Sequence, residues 1–272
     1  MIQQSGFKRN TIDKYYTKID MVQLCINLIK NNITIDKNDI IIEPSAGNGS
    51  FIDEIKKIAD NYYFYDIEPE NEEIIKQDFL NLSFNNPLNK NIHIIGNPPF
   101  GRQSSLAIKF IRKASLIAFS ISFILPKSFK KESLKNKIPL NFHLISEIDL
   151  PEKSFLINDR EIDVPCIFQI WIKKDYNRTI NNKEEPLNFS FVKKEENPHI
   201  SFRRVGVNAG NIDINYKNKS IQSHYFIKFN NDKSIEDNIR VLNQLKFDFN
   251  NTVASKSISK QELIVKFNQL FI

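Results

Sequence analysis

The chain alternates short apolar runs with amphipathic ones, and this alternation constrains its fold more than any other feature. Asp39-Ile40-Ile41-Ile42-Glu43 reads as a short buried strand. The turn Pro44-Ser45-Ala46-Gly47-Asn48-Gly49 then opens a helical pattern over residues 50–60, with Phe51, Ile55 and Ile58 on one face. Upstream, Met21, Val22, Cys25, Leu28 and Ile29 have the spacing of an amphipathic helix over residues 19–31. Downstream, the pattern predicts a strand over 62–66, a polar helix through Lys76, and a short third strand closed by Gln77-Asp78-Phe79. A strand over 91–95, a helix over 104–118 and a strand over 120–125 ending at Pro126 follow. Strands that alternate with helices build βαβ units, so the expected class is α/β with a mostly parallel sheet and helices on both faces. Residues 141–150 and 164–174 read as two strands with no obvious helix between them, which suggests a closing antiparallel hairpin.

The remainder has a different texture. Residues 176–186 form a polar linker with no apolar face. Short strand patterns at 188–192, 200–205, 212–216 and 225–229 precede helices at 235–247 and 259–271, the second opening with the capping box Ser259/Glu262. The expected organisation is a flexible tail over 1–11, a main domain over 12–175 and a small C-terminal α+β appendage over 176–272 that could serve substrate recognition. No internal repeat is present.

Composition narrows the function classes. With 272 residues, 41% of them hydrophobic, the chain can bury a full core. No apolar run is long enough to span a bilayer and no secretory signal opens the chain, so a soluble intracellular protein is expected, in the cytoplasm or, for a viral chain, in the host nucleus or cytoplasm. The Asn, Ile and Lys usage points to an AT-rich genome. Cys25 and Cys166 sit far apart inside apolar runs without metal-ligand spacing, which predicts buried thiols, no disulfide and no metal site. The net charge of +6 suits a polyanionic partner such as nucleic acid.

The segment with the most chemistry is Asn97-Pro98-Pro99-Phe100, directly after the 91–95 strand. In open α/β sheets ligands bind at the carboxyl ends of strands. An Asn side-chain oxygen and the Pro98 carbonyl can each accept one hydrogen of a planar amine, and Phe100 can stack on the ring that carries it. Asn-Pro-Pro is also a good loop former in its own right, since proline fixes its φ and pushes the preceding residue out of helix.

The surroundings add a second ligand. Gly47 and Gly49 permit a tight turn and close backbone approach. Seventeen positions past Gly49, Asp66 ends the next strand and is placed to take two ribose hydroxyls. Asp78, at the end of the third strand, can accept from an adenine amino group, with Phe79 or Ile67 covering that ring. Each acid alone could be a helix cap and Phe79 simple core. Their order at three successive strand ends carries the reading.

With these residues in place, the chain resembles the class I S-adenosylmethionine-dependent methyltransferases, and within them those that modify the amino group of adenine. Lys14-Tyr15-Tyr16-Thr17 is similar to the family's N-terminal motif, whose aromatic residue and threonine pack against the methionine part of the cofactor. Glu43 to Phe51 resembles its glycine motif, Tyr65-Asp66-Ile67-Glu68-Pro69 its second acid motif, Gln77-Asp78-Phe79-Leu80 its third, and Asn97 to Phe100 its catalytic motif. The resemblance is strong over residues 14–101 and extends to about 174. It implies a Rossmann-like seven-stranded sheet with the last strand antiparallel, S-adenosylmethionine as cofactor and adenine in DNA or RNA as target, cap-adjacent adenosine included. It further implies that Tyr16, Thr17, Glu43, Pro44, Ser45, Ala46, Gly47, Gly49, Asp66, Ile67, Asp78, Phe79 and Asn97 line the cofactor site. The order of motifs resembles the gamma class, in which target recognition follows the catalytic motif. Lys18 departs from the proline that often follows the threonine, and Phe100 from the commoner tyrosine.

Phe100 and Phe155 are the expected aromatic faces for a flipped base. Arg102, Lys109, Arg203 and Arg204 are candidate phosphate contacts. Two other readings stay open: a protein-glutamine methyltransferase, disfavoured by Phe100 and the short stretch before the first motif, and a non-catalytic nucleic-acid-binding subunit, disfavoured by the intact Asn97 and glycine turn. The sequence leaves DNA against RNA, and action alone against a homodimer or a partner subunit, undecided.

Overall fold

The computed structural model describes residues 15–86, 89–180, 184–247, 249 and 256–270. The expected tail at 1–11, and Lys14, lie outside these. Its elements are, in chain order, β1 (Tyr16–Thr17), α1 (Ile19–Asn32), β2 (Ile40–Glu43), α2 (Ile52–Lys56), β3 (Asn61–Asp66), β4 (Ile75–Lys76), β5 (Ile92–Gly96), α3 (Ser105–Ser115), β6 (Ser120–Pro126), α4 (Glu132–Lys135), β7 (Phe142–Asp149), β8 (Phe155–Ile157), β9 (Arg160–Ile162), β10 (Cys166–Lys173), β11 (Phe189–Val192), β12 (Ile200–Arg203), β13 (Ile212–Asp213), β14 (His224–Phe229), α5 (Ile235–Leu242) and α6 (Lys260–Asn268). The chain divides into two compact units, Met1–Thr179 and Ile180–Ile272.

The first unit is built on a seven-stranded sheet in the order β4-β3-β2-β5-β6-β10-β7. The pairs β3–β4, β2–β3, β2–β5 and β5–β6 are parallel, and β10 runs antiparallel between β6 and β7. This is the α/β, Rossmann-like arrangement expected, closed by an antiparallel strand. The period of two in each strand separates the core into two layers. Ile41, Phe64, Ile95 and Ile124 face α1 and α2, packing on Val22, Cys25, Ile29 and Ile55. Ile40, Ile42, Ile94 and Phe123 face the other way, against Ala107, Phe110, Ile111 and Ala114 of α3. Both cysteines are buried and free. Among the described residues no helix is long and apolar enough to cross a membrane.

The structure corrects several boundaries. The polar helix expected before Lys76 is absent: residues 67–74 form turns. Glu68, Glu70, Glu72 and Glu73 would crowd like charges on a helix that offers little apolar face. Instead Asp66 and Asn71 accept from the backbone N–H two residues on, the local bonding that competes with helix. The third strand stops at Lys76, so Asp78 is not a strand end but the cap of a 3-10 turn, accepting from Leu80 N–H. The helix expected over 50–60 contracts to α2. Between β7 and β10, a β8–β9 hairpin pairs with β1 in a separate three-stranded sheet. The polar linker is anchored near its start. Arg178 donates to the carbonyls of Lys135, Ile138 and Phe142, and its guanidinium covers Trp171.

The second unit is a four-stranded sheet, β11-β14-β12-β13. Phe189, Ile200, Phe202 and Ile227 pack on Leu242 of α5 and on Leu263, Ile264 and Phe267 of α6. The capping box forms as its spacing predicts, with Ser259 accepting from Glu262 N–H.

Candidate active site

Four neighbouring strands deliver four polar side chains to one edge of the sheet. β2 ends in Glu43 and β3 in Asp66. Asn97 follows the last residue of β5, and Asp78 comes two residues after β4. Because these strands are adjacent and parallel, their carboxyl ends form one continuous rim. Parallel pairing thus brings together residues 54 positions apart in sequence, Glu43 and Asn97, without any contact encoded locally.

The glycine turn sits at the centre of that rim. Gly47 and Gly49 adopt positive φ, +55° and +88°, which a side chain would strain. Gly47 N–H donates to Asp66 Oδ2 at 2.8 Å, and Ala46 N–H donates to Tyr65 O at 2.9 Å. Ser45 Oγ donates to Asn97 O at 3.2 Å, so the turn is tied to the strand on either side. The stretch after β3 folds back over it: Glu70 N–H donates to Gly47 O at 3.0 Å, and the Tyr16 hydroxyl donates to the Glu70 carboxylate at 2.7 Å. Reading the sequence missed Glu70. No local pattern sets it apart from its neighbours Glu68, Glu72 and Glu73.

Glu43 is fully buried, with Oε2 without a hydrogen-bond partner among the described residues. Burial, and then the negative charge of Asp66, push its carboxyl well above the usual carboxylate range. Gly96 leaves it room: a Cβ there would lie 3.1 Å from Glu43 Cγ. A buried carboxyl with an unsatisfied oxygen beside a glycine turn fits a ligand that carries a cationic, hydrogen-bond-donating group, such as an amino acid ammonium.

Asn97 is half-buried and Pro98 buried. Asn97 Nδ2 donates to Tyr15 O and to Thr17 Oγ1, both at 3.3 Å. Beyond the motif, Phe100 O accepts from the N–H groups of Leu106 and Ala107, which fixes the start of α3 to the motif. Phe100 itself is half-buried against the α1 side of the core.

Other expected residues have different surroundings. Phe155 is fully buried beside Tyr15, with its backbone paired to Thr17, so it has no face to offer a base. Apolar burial at the root of a hairpin outweighed its place in a loop near the rim. Phe79 is buried too and stacks on Phe110, leaving Ile67, which is 50% exposed, as the apolar group available to cover a ring. Asp78 Oδ1 and Oδ2 accept from Leu80 N–H and Asn81 Nδ2, so its acceptors are partly used locally. Arg102 and Lys109 are exposed. In the second unit, Arg203 Nε donates to Val205 O, and the Arg204 guanidinium donates to Gln222 O while lying over Tyr225.

No protein-family model matches the chain. It is 28% identical over 138 residues to an rRNA adenine N-6-methyltransferase of Limosilactobacillus reuteri, covering 46% of this chain and 55% of that protein. It is 34% identical over 104 residues to the type II methyltransferase M.HincII of Haemophilus influenzae, covering 37% of this chain and 19% of the other. The chain thus spans about half the length of the first relative and about a fifth of the second. The solved structure of the 23S rRNA methyltransferase ErmE aligns with a TM-score of 0.44 at 12% identity, over 60% of this chain and 71% of that one. That overlap is too low to add to the topology described above.

Proposed function

We propose that this homologue of methyltransferases, one of them an rRNA adenine N-6 enzyme, transfers a methyl group from S-adenosylmethionine to the exocyclic amine of an adenine in nucleic acid. The observation that carries the reading is the placing of Asn97. It follows a parallel strand at the same rim as the glycine turn, with Nδ2 donating to Tyr15 O and Thr17 Oγ1 and Oδ1 left to accept.

The cofactor supplies an electrophilic methyl group. Glu43 would hold its ammonium, Asp66 its ribose hydroxyls and Ile67 one side of its adenine, while the Gly47–Gly49 turn allows close backbone approach. An adenine amine is a weak nucleophile because its lone pair is delocalised into the ring. Asn97 Oδ1 and the Pro98 carbonyl accept its two hydrogens and favour a pyramidal nitrogen, and Phe100 stacks on the base. The gain comes from position and from dipoles directed at the positive charge that develops on nitrogen. No general base is needed, since the methylated amine is strongly acidic and loses its proton to water.

On this reading residues 12–175 are the methyltransferase domain and 176–272 a substrate-recognition element, with Arg102, Lys109, Arg203 and Arg204 as phosphate contacts. The basic balance of the chain suits a nucleic-acid substrate.

The test is methyl transfer from tritiated cofactor to matched DNA, single-stranded RNA, structured RNA, capped RNA and a protein extract, followed by nucleoside analysis. Label in N6-methyladenine, abolished by Asn97→Ala, is the expected result. Label confined to protein, or undiminished transfer by Asn97→Ala, overturns the proposal.

A further inference from the structure

Asn97 can accept a hydrogen from the amine only if its amide is turned one way. An asparagine amide is nearly symmetric in shape, and a flip exchanges its acceptor for a donor. The Tyr15 carbonyl, which can only accept, opposes the flip here, while the Thr17 hydroxyl anchors whichever amide atom faces it. Tyr15 O and Thr17 Oγ1 each lie 3.3 Å from Nδ2, and both belong to the short segment around β1, some eighty residues earlier. Turned over, Oδ1 would face the Tyr15 carbonyl, oxygen against oxygen. As observed, Nδ2 faces its two acceptors on the β1 side, and among the described residues no hydrogen bond engages Oδ1.

β1 is itself held firmly. Thr17 is buried and pairs with Phe155, which is fully buried. Lys18 N–H donates to Ser154 O at 3.1 Å, a bond a proline at that position could not make. Lys18 Nζ also pairs with Glu161 of β9 at 2.8 Å. The β8–β9 hairpin therefore fixes β1, and β1 fixes the amide.

From this geometry we infer that Thr17 is a positioning residue that holds the Asn97 amide against β1, where the Tyr15 carbonyl fixes its sense, with the hairpin over residues 155–162 as its anchor. The inference rests on the proposed role of Asn97. It assigns Thr17 a task beyond packing against a cofactor: its hydroxyl acts through Asn97, so its loss lowers the rate of transfer rather than affinity for the donor.

The experiment compares Thr17→Val, which keeps the branched shape and removes the acceptor, with Thr17→Ser, which keeps the acceptor. Asn97→Ala runs in parallel, and Thr17→Ala reads the same bond should the valine variant not fold. Each is measured for kcat, for KM of the nucleic acid and, by calorimetry, for donor Kd. Thr17→Val is expected to lower kcat on the order of tenfold, the scale of one buried hydrogen bond, with donor Kd changed less than about twofold. Thr17→Ser is expected to restore kcat to within about twofold of the parent. Unchanged kcat in Thr17→Val, equal losses in the valine and serine variants, or a loss seen only in donor Kd would each overturn the inference. If Asn97→Ala itself retains full activity, the functional reading fails instead, whatever the Thr17 variants do.

Discussion

Gly47 N–H and Asp66 Oδ2 meet at 2.8 Å, which ties the turn after β2 to the acid that ends β3. The same carboxylate takes Glu68 N–H on its other oxygen, also at 2.8 Å. Asp66 therefore shapes the turn as well as facing the rim. Asp66→Ala is expected to weaken cofactor binding by at least about tenfold, since hydrogen bonds to a charged group contribute about 1.5–3 kcal/mol each. Isothermal titration with S-adenosylhomocysteine checks this. An unchanged Kd would remove Asp66 from the site.

Gly96 tests the space around Glu43. Its φ is +151°, and an added Cβ would stand 3.1 Å from Glu43 Cγ. Gly96→Ala is expected to cost about 1–3 kcal/mol through strained backbone and crowding, and to displace Asn97. Urea unfolding measures the first effect and methyl transfer the second.

The Glu43 carboxyl gives a pH dependence with a definite sign. Its folded pKa is raised above 4.5, mainly by burial. Between 4.5 and the folded value the native state holds a proton that the unfolded state has lost. Its contribution to stability is thus fully present below pH 4.5 and declines as pH rises toward the folded value. Glu43→Gln, which stays neutral, is expected to flatten this decline and to raise the melting temperature at pH 7 in the absence of ligand, while weakening cofactor binding. Thermal melts across pH 4–8 decide it, and parallel profiles for parent and variant would refute it.

His93 gives the opposite slope at the other end of the sheet. Its ring bonds Ser120 Oγ at 2.7 Å and Asp39 Oδ2 at 3.3 Å, and all three residues are buried. Burial first, opposed by the Asp39 hydrogen bond, lowers its pKa below 6.5. Stability from this neutral imidazole is present above pH 6.5 and lost as pH falls toward the folded value. A His93→Gln variant is expected to start less stable at pH 7 and to lose less on acidification to pH 5. Urea midpoints at the two pH values measure this.

Phe155 separates structure from recognition. A fully buried ring at the root of the hairpin predicts that Phe155→Ala costs about 3–5 kcal/mol of stability. Phe155→Leu, nearer in volume, is expected to recover most of that together with activity. If the leucine variant were stable yet inactive on nucleic acid, an aromatic contact with the base would be back in contention.

The strand and glycine turn of the β2–turn–α2 unit were legible, because a run of three isoleucines between an acid and a glycine turn admits few other structures, whereas the helix after them was read too long. Apart from β4, strand positions in the main sheet were close, and β5 and β6, buried throughout, read as near-continuous apolar runs. The stretch after Asp66 was misread because a polar, acidic segment has no periodicity to read. Its true partner is the backbone of Gly47, across a contact between two strand ends. Phe155 and Phe79 were misread because an aromatic residue at a loop edge carries the same letter whether it faces a base or the core.

The amino-acid order by itself determined the α/β class, the strands that end in Glu43 and Asp66, the strand that Asn97 follows, and the helix capped by Ser259, since each depends on local spacing of apolar, polar and glycine residues. Tertiary structure alone decided which way the Asn97 amide turns, that Glu43 lies buried with an unsatisfied oxygen, and that a distant hairpin secures β1. Those outcomes depend on residues scores of positions apart meeting at one rim, and no local pattern encodes how two distant backbones approach.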